Sequence, residues 1–252
     1  MLDVKEIDVA YGHAKVLHEV SVRLNEGETV FIVGRNGAGK TTLLRTIAGL
    51  LHPTKGTITH AGQEIQGFVP EEVARRGIRY VAQDKKVFSN LTVRGNVELA
   101  AHAAGEDLKT ALKKLVDLYP KFSQFLDSKA GSLSGGLVDL YPKFSQFLDS
   151  KAGSLSGGQR EILLIGRAVV GNPKILLIDE PTEGLAAIVI DEIFRILNAM
   201  KENKVSAIIV EQNLAVVAKL ADRIYIMKEG KIDHEITKPR EITDTKDLEE
   251  YL

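Results

Sequence analysis

Apolar and polar residues alternate over the first 24 positions of the chain. Val4, Ile7 and Val9 belong to one alternating stretch, and a second stretch runs from Val16 to Leu24 after a turn at Gly12. Alternation of this kind is typical of strands with one buried and one exposed face. The pattern predicts a pair of half-exposed antiparallel strands.

Three later runs are apolar after their first residue, as strands buried on both faces are. They are Thr29–Val33, Lys174–Ile178 and Ser206–Val210. A helical pattern from Lys40 to about Leu50 follows the first run, and another from Ile188 to Leu197 separates the other two. The order strand, helix, strand predicts an α/β fold with a parallel core sheet.

The remaining pattern predicts a closing hairpin and a helical region. Residues 223–227 and 231–236 form the hairpin, and helical signals dominate from about 87 to 158. Within that region one helix face is apolar. Its residues are Leu108, Ala111, Leu112 and Leu115.

A tandem duplication interrupts this region. Residues 115–136 recur letter for letter as residues 137–158. Structural repeats diverge and come in several copies, so two identical copies indicate a recent duplication, an engineered insertion or an error in the sequence, and not a solenoid.

Composition narrows the possible partners. The net charge of −1, with both signs interleaved, gives no basic patch, so nucleic acid is not an expected partner.

The chain has no cysteine, which excludes disulfides and thiol chemistry. Its longest apolar stretches are far shorter than the roughly 20 residues of a membrane helix, and its N-terminus is not a secretory signal. Any membrane role is expected to be peripheral.

A glycine-rich motif follows the first buried strand and opens a helix. The match to G-x-x-x-x-G-K-[ST] consists of Gly34, Arg35, Asn36, Gly37, Ala38, Gly39, Lys40 and Thr41, and Thr42 continues it. In such a P-loop the backbone N–H groups face phosphates, the lysine reaches the β- and γ-phosphates, and the hydroxyl binds Mg²⁺. The alternative is a glycine-rich turn that matches by chance; the flanking strand and helix favour the phosphate site.

Two carboxylates end the second buried strand, where ligands bind in open α/β sheets. Asp179 is expected to hold Mg²⁺, largely through water, and Glu180 to orient or deprotonate an attacking water. The alternative is a helix N-cap before Pro181. The P-loop upstream favours the catalytic interpretation.

The string Leu155-Ser156-Gly157-Gly158-Gln159 precedes a helical run from Arg160 to Val170 and lies 20 residues before Asp179. At this spacing it resembles the signature motif of the ABC (ATP-binding cassette) family. In that family the signature Ser and Gly N–H groups, at the positive end of a helix, bind the γ-phosphate of ATP held by the partner's P-loop. The resemblance implies ATP hydrolysis by a dimer.

The resemblance assigns two further residues and shows two departures. Tyr11 matches the aromatic that stacks on adenine, although a tyrosine in a turn is also ordinary packing, and Gln83 matches the glutamine that contacts Mg²⁺ and the attacking water. Gln212 replaces the usual switch histidine; its amide can hydrogen-bond the γ-phosphate but cannot become cationic. Ala186 stands where many relatives have the D-loop aspartate.

Residues 183–186, 192–194 and 210–213 resemble one of the two ATPase subunits of branched-chain amino acid importers, and the likeness runs from end to end. It implies a P-loop NTPase (RecA-like) core with an antiparallel β subdomain over residues 1–86 and 159–252, and a helical ABC subdomain over about 87–158. Urea and amide importers share the same plan.

The expected cofactors are ATP and Mg²⁺. The expected partners are a second ABC ATPase subunit or another copy in a head-to-tail dimer, two transmembrane permease subunits and, indirectly, an extracytoplasmic binding protein. The chain would lie in the cytoplasm, on the inner face of the cell membrane. A soluble ABC protein acting on ribosomes or DNA is less favoured, because neither a second cassette nor a long coiled coil is present. A small-molecule kinase is disfavoured by the signature and by the lack of an arginine-rich lid.

Only the second signature copy leads into a proper helix, because Leu137 follows the first copy and Pro142 comes soon after. We therefore expect the first copy, which contains Ser134, to bind no nucleotide. Relative to other ABC proteins, the 22 extra residues are expected to be inserted within the polar segment Asp127–Ser132 and to form a loop or an additional helix.

Overall fold

The computed structural model describes residues 2–84, 86–118, 151–152, 155–237 and 248–251. Ser134 and the segment Asp127–Ser132 lie outside the described residues. Contacts divide the chain into two compact units: unit 1 contains residues 1–83, 174–183 and 201–252, and unit 2 contains 84–173 and 184–200. The sequence-based division assigned residues 159–173 and 184–200 to the core, whereas their contacts group them with the helical unit.

A six-stranded sheet forms the centre of unit 1, in the order β10-β9-β3-β8-β7-β6. Its strands are β3 (Thr29–Val33), β6 (Ile78–Val81), β7 (Ile175–Asp179), β8 (Ser206–Val210), β9 (Arg223–Lys228) and β10 (Lys231–Ile236). All neighbours are parallel except the β9–β10 hairpin. Every residue of β3, β7 and β8 is buried, which explains their continuous apolar runs. The predicted α/β fold class is confirmed.

A second, antiparallel sheet of unit 1 has the order β2-β1-β4-β5. Its strands are β1 (Leu2–Tyr11), β2 (Ala14–Leu24), β4 (Lys55–His60) and β5 (Gln63–Glu64). Val4 pairs with Val22 on one side and with Ile58 on the other, so the predicted pair β1–β2 gains a third long strand. These apolar side chains belong to the core that also includes β3 and β8.

Within the described part of unit 1 lie the helices α1 (Lys40–Ile47), α2 (Pro70–Arg75) and α7 (Leu214–Leu220). The first helix ends three residues before the predicted Leu50 because Gly49 takes a left-handed conformation, with φ of 76°. The Leu50 N–H then donates to the Arg45 carbonyl, and the Gly49 N–H donates to that of Thr46, as in a Schellman motif. Pro70 starts α2, where its fixed φ suits the first helical position.

Unit 2 is built from the helices α3 (Val93–Ala104), α4 (Leu108–Leu118), α5 (Gly157–Val169) and most of α6 (Ala187–Glu202). The predicted apolar face of α4 buries Ala111, Leu112 and Leu115. A Cβ at Gly166 would lie 2.6 Å from a methyl carbon of Leu115, so glycine permits close packing of α5 on α4. Leu115 comes from the first copy of the duplication, whereas Ser156, the N-cap of α5, comes from the second.

Candidate functional site

The P-loop connects β3 to α1 through a turn that only glycine can make. A Cβ at Gly34 would lie 2.2 Å from the Met227 carbonyl oxygen. Gly39, the N-cap of α1, has φ of 103°, a conformation that L side chains rarely adopt. The backbone therefore curls at the N-terminus of α1, where free N–H groups and the helix dipole favour an anion.

Lys40 is buried at the start of α1, with 4% of its surface exposed. Its Nζ donates to the carbonyl oxygens of Gly34 at 2.7 Å and Arg35 at 3.1 Å. The same atom lies 3.6 Å from Glu180 Oε1. A buried ammonium thus lies between the phosphate-binding loop and the second carboxylate of the β7 pair.

Asp179 is bound from two sides at the carboxyl end of β7. Thr41 Oγ1 donates to Asp179 Oδ1 at 3.1 Å, and the Tyr80 hydroxyl donates to Asp179 Oδ2 at 3.0 Å. Burial raises the pKa of the Asp179 carboxyl above its ordinary value. Burial and the nearby charge of Asp179 raise the pKa of Tyr80, so its hydroxyl keeps the proton that it donates.

Glu180 follows directly, with 5% of its surface exposed and φ of 50°. Gln83 Nε2 donates to Glu180 Oε2 at 3.1 Å, and Gln212 Nε2 donates to Oε1 at 2.8 Å. Each glutamine makes a second hydrogen bond through the same nitrogen. Gln83 Nε2 donates to Glu183 Oε2 at 2.8 Å, and Gln212 Nε2 donates to Asn36 Oδ1 at 2.8 Å. Three chain segments distant in sequence therefore converge on one carboxylate.

A cavity of about 290 Å³ lies beside these residues in unit 1. Its lining consists of Val16, Asn36, Gly37, Ala38, Gly39, Lys40, Thr41, Thr42, Gln83 and Glu180. Most of the predicted phosphate-binding residues thus share one concave surface with Glu180. Tyr11, at the end of β1, is 46% exposed and lies near Arg45 of α1.

The signature residues lie in unit 2, at the N-terminus of α5. Ser156 Oγ accepts from the Gln159 N–H at 3.3 Å, and the Ser156 N–H donates to Gln159 Oε1 at 2.9 Å, which is a capping box. Ser156 and Gly157 are exposed. Gly158 is buried, and a Cβ there would lie 2.3 Å from a methyl carbon of Val189, so this position requires glycine.

Sequence reasoning missed three polar residues that the structure places among these groups. Tyr80 binds Asp179, Arg45 lies near Tyr80, and Glu211 binds the segment after Glu180. The signal for Tyr80 was its place near the end of a strand whose neighbour ends in Asp179. The sequence offered no comparable signal for the other two.

Comparison with known proteins shows the family of the chain. The family model described as ABC transporter matches residues 17–183. The chain belongs to the ABC transporter family. As a member of this family it is an ATPase, which confirms the enzyme class predicted from the sequence.

Individual relatives of this ABC transporter chain differ in their named substrates. The high-affinity branched-chain amino acid transport ATP-binding protein BraG of Pseudomonas aeruginosa is 34% identical over all of this chain and 99% of its own length. The xylose/arabinose import ATP-binding protein XylG of Sulfolobus acidocaldarius is 27% identical, over all of this chain and 93% of its own.

A solved structure supports the fold directly. The crystal structure of a nucleotide-free ATP-binding cassette from an ABC transporter superposes with a TM-score of 0.75 at 29% identity, covering all of this chain and 98% of that one. The P-loop NTPase fold class predicted from the sequence is therefore confirmed. None of the helices that the structure describes combines the length and apolar character needed to cross a bilayer.

Proposed function

We propose that this chain is the ATP-binding and hydrolysing subunit of an ABC importer for branched-chain amino acids. The observation that carries the hydrolytic part is the convergence of Lys40, Gln83 and Gln212 on Glu180 beside the P-loop cavity. The likeness to BraG over the whole chain supports the solute. Sugar import is the alternative that the likeness to XylG favours.

The P-loop is proposed to hold the ATP phosphates on its backbone N–H groups. Lys40 exchanges its contacts with two backbone carbonyl oxygens for the β- and γ-phosphates, which are stronger partners for an ammonium because they are charged. Tyr11 is proposed to stack on adenine, and its exposed ring supports this role.

Oxygen donors next to the cavity suit a magnesium ion. Thr41 Oγ1 and Asp179 Oδ1 are 3.1 Å apart, and hydroxyl and carboxylate oxygens are the ligands that this ion prefers. Burial raises the pKa of Asp179, so a cation beside it would stabilise the charged form of this carboxylate. Thr41 and Gln83 are proposed as direct ligands and Asp179 as a ligand through water. Bound there, Mg²⁺ neutralises charge that develops on the β- and γ-phosphate oxygens.

Glu180 is proposed to orient the attacking water and accept its proton. Gln83 and Gln212 donate to opposite oxygens of its carboxylate, so each oxygen keeps a lone pair for the water. Buried surroundings strengthen these hydrogen bonds and fix the carboxylate before the reaction begins.

A second subunit is proposed to complete the site, because in the ABC family the signature of one subunit binds the γ-phosphate held by the P-loop of the other. Ser156, Gly157, Gly158 and Gln159 open α5, whose positive end suits the γ-phosphate held by the other subunit. A further copy of this chain or a second ABC ATPase would form this head-to-tail dimer.

Unit 2 is also proposed to dock on two permease subunits at the cytoplasmic face of the membrane. Phe88, Leu91 and Leu99 are each about 40–50% exposed there, and docking on the permeases would cover this apolar surface. An extracytoplasmic binding protein would deliver the solute to the permeases and would act on this chain only through them.

The test of hydrolysis compares Glu180→Gln with Glu26→Gln, which alters an exposed carboxylate of the same unit. We expect Glu180→Gln to lower kcat about a hundredfold or more, since a positioned base contributes rate factors of this size. Binding of a fluorescent ATP analogue should stay within twofold. Glu26→Gln should match the unchanged chain. Hydrolysis by Glu180→Gln at the full rate would contradict the proposed role of Glu180, and failure of the unchanged chain to bind ATP would contradict the function.

The solute is tested by uptake into vesicles that contain the chain with its two permeases and binding protein. ATP-dependent uptake of leucine and not of xylose is the expected result. The reverse preference would favour the sugar importer.

A further inference from the structure

A buried carboxylate lies just behind the catalytic groups, at the end of β8. Glu211 is 2% exposed. Its Oε1 accepts from the Thr182 N–H at 3.0 Å and the Thr182 hydroxyl at 2.7 Å. Its Oε2 accepts from the backbone N–H groups of Gln212 at 2.9 Å and Asn213 at 3.0 Å. Both oxygens are therefore occupied by uncharged donors.

These four hydrogen bonds join two segments that carry catalytic groups. Thr182 lies two residues after Glu180, and the Gln212 side chain donates to that same Glu180 carboxylate. The Glu180 N–H adds one backbone contact, to the Val210 carbonyl oxygen at 2.9 Å. Glu211 thus binds the backbone on both sides of the contact between Glu180 and Gln212.

The backbone of Glu180 needs such support. Its φ of 50° is uncommon for a residue with a side chain and persists only where the surroundings hold it. The next residue is Pro181, which has no N–H to contribute, so Thr182 is the first residue after Glu180 whose N–H can bind a neighbouring segment.

We infer that Glu211 is a positioning residue for ATP hydrolysis, which fixes the Glu180 and Gln212 segments relative to each other through the hydrogen bonds that its carboxylate accepts. This inference rests on the proposed role of Glu180. The three backbone N–H groups can only donate, so each carboxylate oxygen must accept, and a glutamine side chain would place an NH₂ group against at least one of these N–H groups. Glutamine at position 211 would therefore leave a buried donor unpaired while keeping the size of the side chain.

The test compares Glu211→Gln with Asp222→Asn in the full chain. Asp222 is a matched control because it also accepts from a backbone N–H, that of Thr29, and binds Lys201, away from the catalytic groups. Three quantities are measured for each variant: kcat and KM for ATP, amide hydrogen exchange, and the midpoint of thermal unfolding.

For Glu211→Gln we expect kcat to fall about tenfold while KM stays within twofold, because the P-loop is unchanged. Amide exchange should accelerate at Thr182, Gln212 and Asn213. Asp222→Asn should lower the unfolding midpoint but leave kcat and these three amides unchanged. Thr182→Val, which removes a single donor, should lower kcat by a smaller factor. If Glu211→Gln does not fold, Thr182→Val replaces it in the test.

The inference is overturned if the Glu211 variant, or Thr182→Val in its place, keeps kcat within twofold of the unchanged chain, or if exchange at the three amides does not change. An unchanged chain that fails to hydrolyse ATP would instead contradict the proposed function. Amide exchange would still decide whether Glu211 holds the two segments.

Discussion

The side-chain nitrogen of Gln212 lies 2.8 Å from Glu180 Oε1 and 2.8 Å from Asn36 Oδ1. An amide NH₂ group has two N–H donors, and here each has one acceptor. Gln212 thus connects the P-loop to Glu180 through a group that does not titrate. A histidine at this place would instead change charge near neutral pH.

We expect Gln212→Ala to lower kcat about tenfold, since Glu180 loses a buried hydrogen bond and a factor of ten corresponds to about 1.4 kcal/mol. Gln212→His should recover activity as the pH falls from 8 to 6, because the imidazolium donates from both nitrogens and attracts Glu180. The check is kcat across this pH range, each variant relative to the unchanged chain. A constant ratio for Gln212→His would contradict the explanation.

Tyr80 is expected to hold Asp179 in place for Mg²⁺. Tyr80→Phe removes the hydroxyl that donates to Asp179 Oδ2, and outer contacts of this kind affect metal affinity by factors of about ten or more. The Mg²⁺ concentration for half-maximal hydrolysis should therefore rise about tenfold, with KM for ATP nearly unchanged at saturating Mg²⁺. Tyr225→Phe, which removes the hydroxyl of another tyrosine of unit 1, should leave the Mg²⁺ dependence unaltered. Equal Mg²⁺ curves for the two variants would disprove the role of Tyr80.

The two signature copies are expected to differ in function. Ser156→Ala should lower ATP turnover at least tenfold, by loss of a γ-phosphate contact in addition to the helix cap, whereas Ser134→Ala should have no effect. Thr92→Ala controls for capping, because Thr92 caps α3 in the same unit and accepts from the Gly95 N–H at 3.0 Å. It should cost about 1 kcal/mol of stability without lowering turnover. Loss of turnover in Ser134→Ala but not in Ser156→Ala would reverse the assignment.

Asp8 is expected to make stability depend on pH. A hydrogen bond from Lys15 and a second from the Glu19 N–H lower the pKa of the Asp8 carboxyl. A carboxyl with a lowered folded-state pKa stabilises the fold above its unfolded-state pKa, near 4, and loses this contribution as pH falls through the folded-state value. Asp8→Asn should therefore be less stable than the unchanged chain at pH 7, and the difference should shrink below about pH 4.

Urea unfolding at pH 7 and at pH 3 measures this effect. Asp191→Asn, which alters an exposed carboxylate on α6, should differ little from the unchanged chain at either pH. A deficit of Asp8→Asn that is equally large at both pH values would point to packing and not to charge.

Much of the fold can be predicted from the sequence, because strands that are buried on both faces appear there as continuous apolar runs. The apolar runs of β3, β7 and β8 locate these strands to within one residue. By contrast, β4 was missed because Ile58 is its only large apolar residue; its other buried side chain is His60. The helix α7 was missed because its seven residues are too few for a clear helical period.

The candidate site likewise contains residues that the sequence predicts and residues that it does not. Motifs with fixed spacing revealed Lys40 and Glu180, because a single loop or strand end carries each of them. The hydrogen bond between Tyr80 and Asp179 joins residues 99 positions apart, so only the folded chain brings them together. The sequence alone predicts that Glu211 is exposed to solvent, because a glutamate is almost never fully buried unless it has partners, and its partners are known only from the folded chain.

The start of the first copy lies in α4 and the end of the second copy lies at the N-cap of α5, so each copy supplies one end of the repeated sequence to a helix of unit 2. The number of copies of the duplicated segment in the protein can be determined by mass spectrometry. Residues 122–129 and 144–151 are the same tryptic peptide, Phe-Ser-Gln-Phe-Leu-Asp-Ser-Lys, bounded by lysine on both sides. A digest of the protein made by its native cells yields this peptide at twice the molar amount of any single-copy peptide if the duplication is inherited, and at an equal amount if it is not.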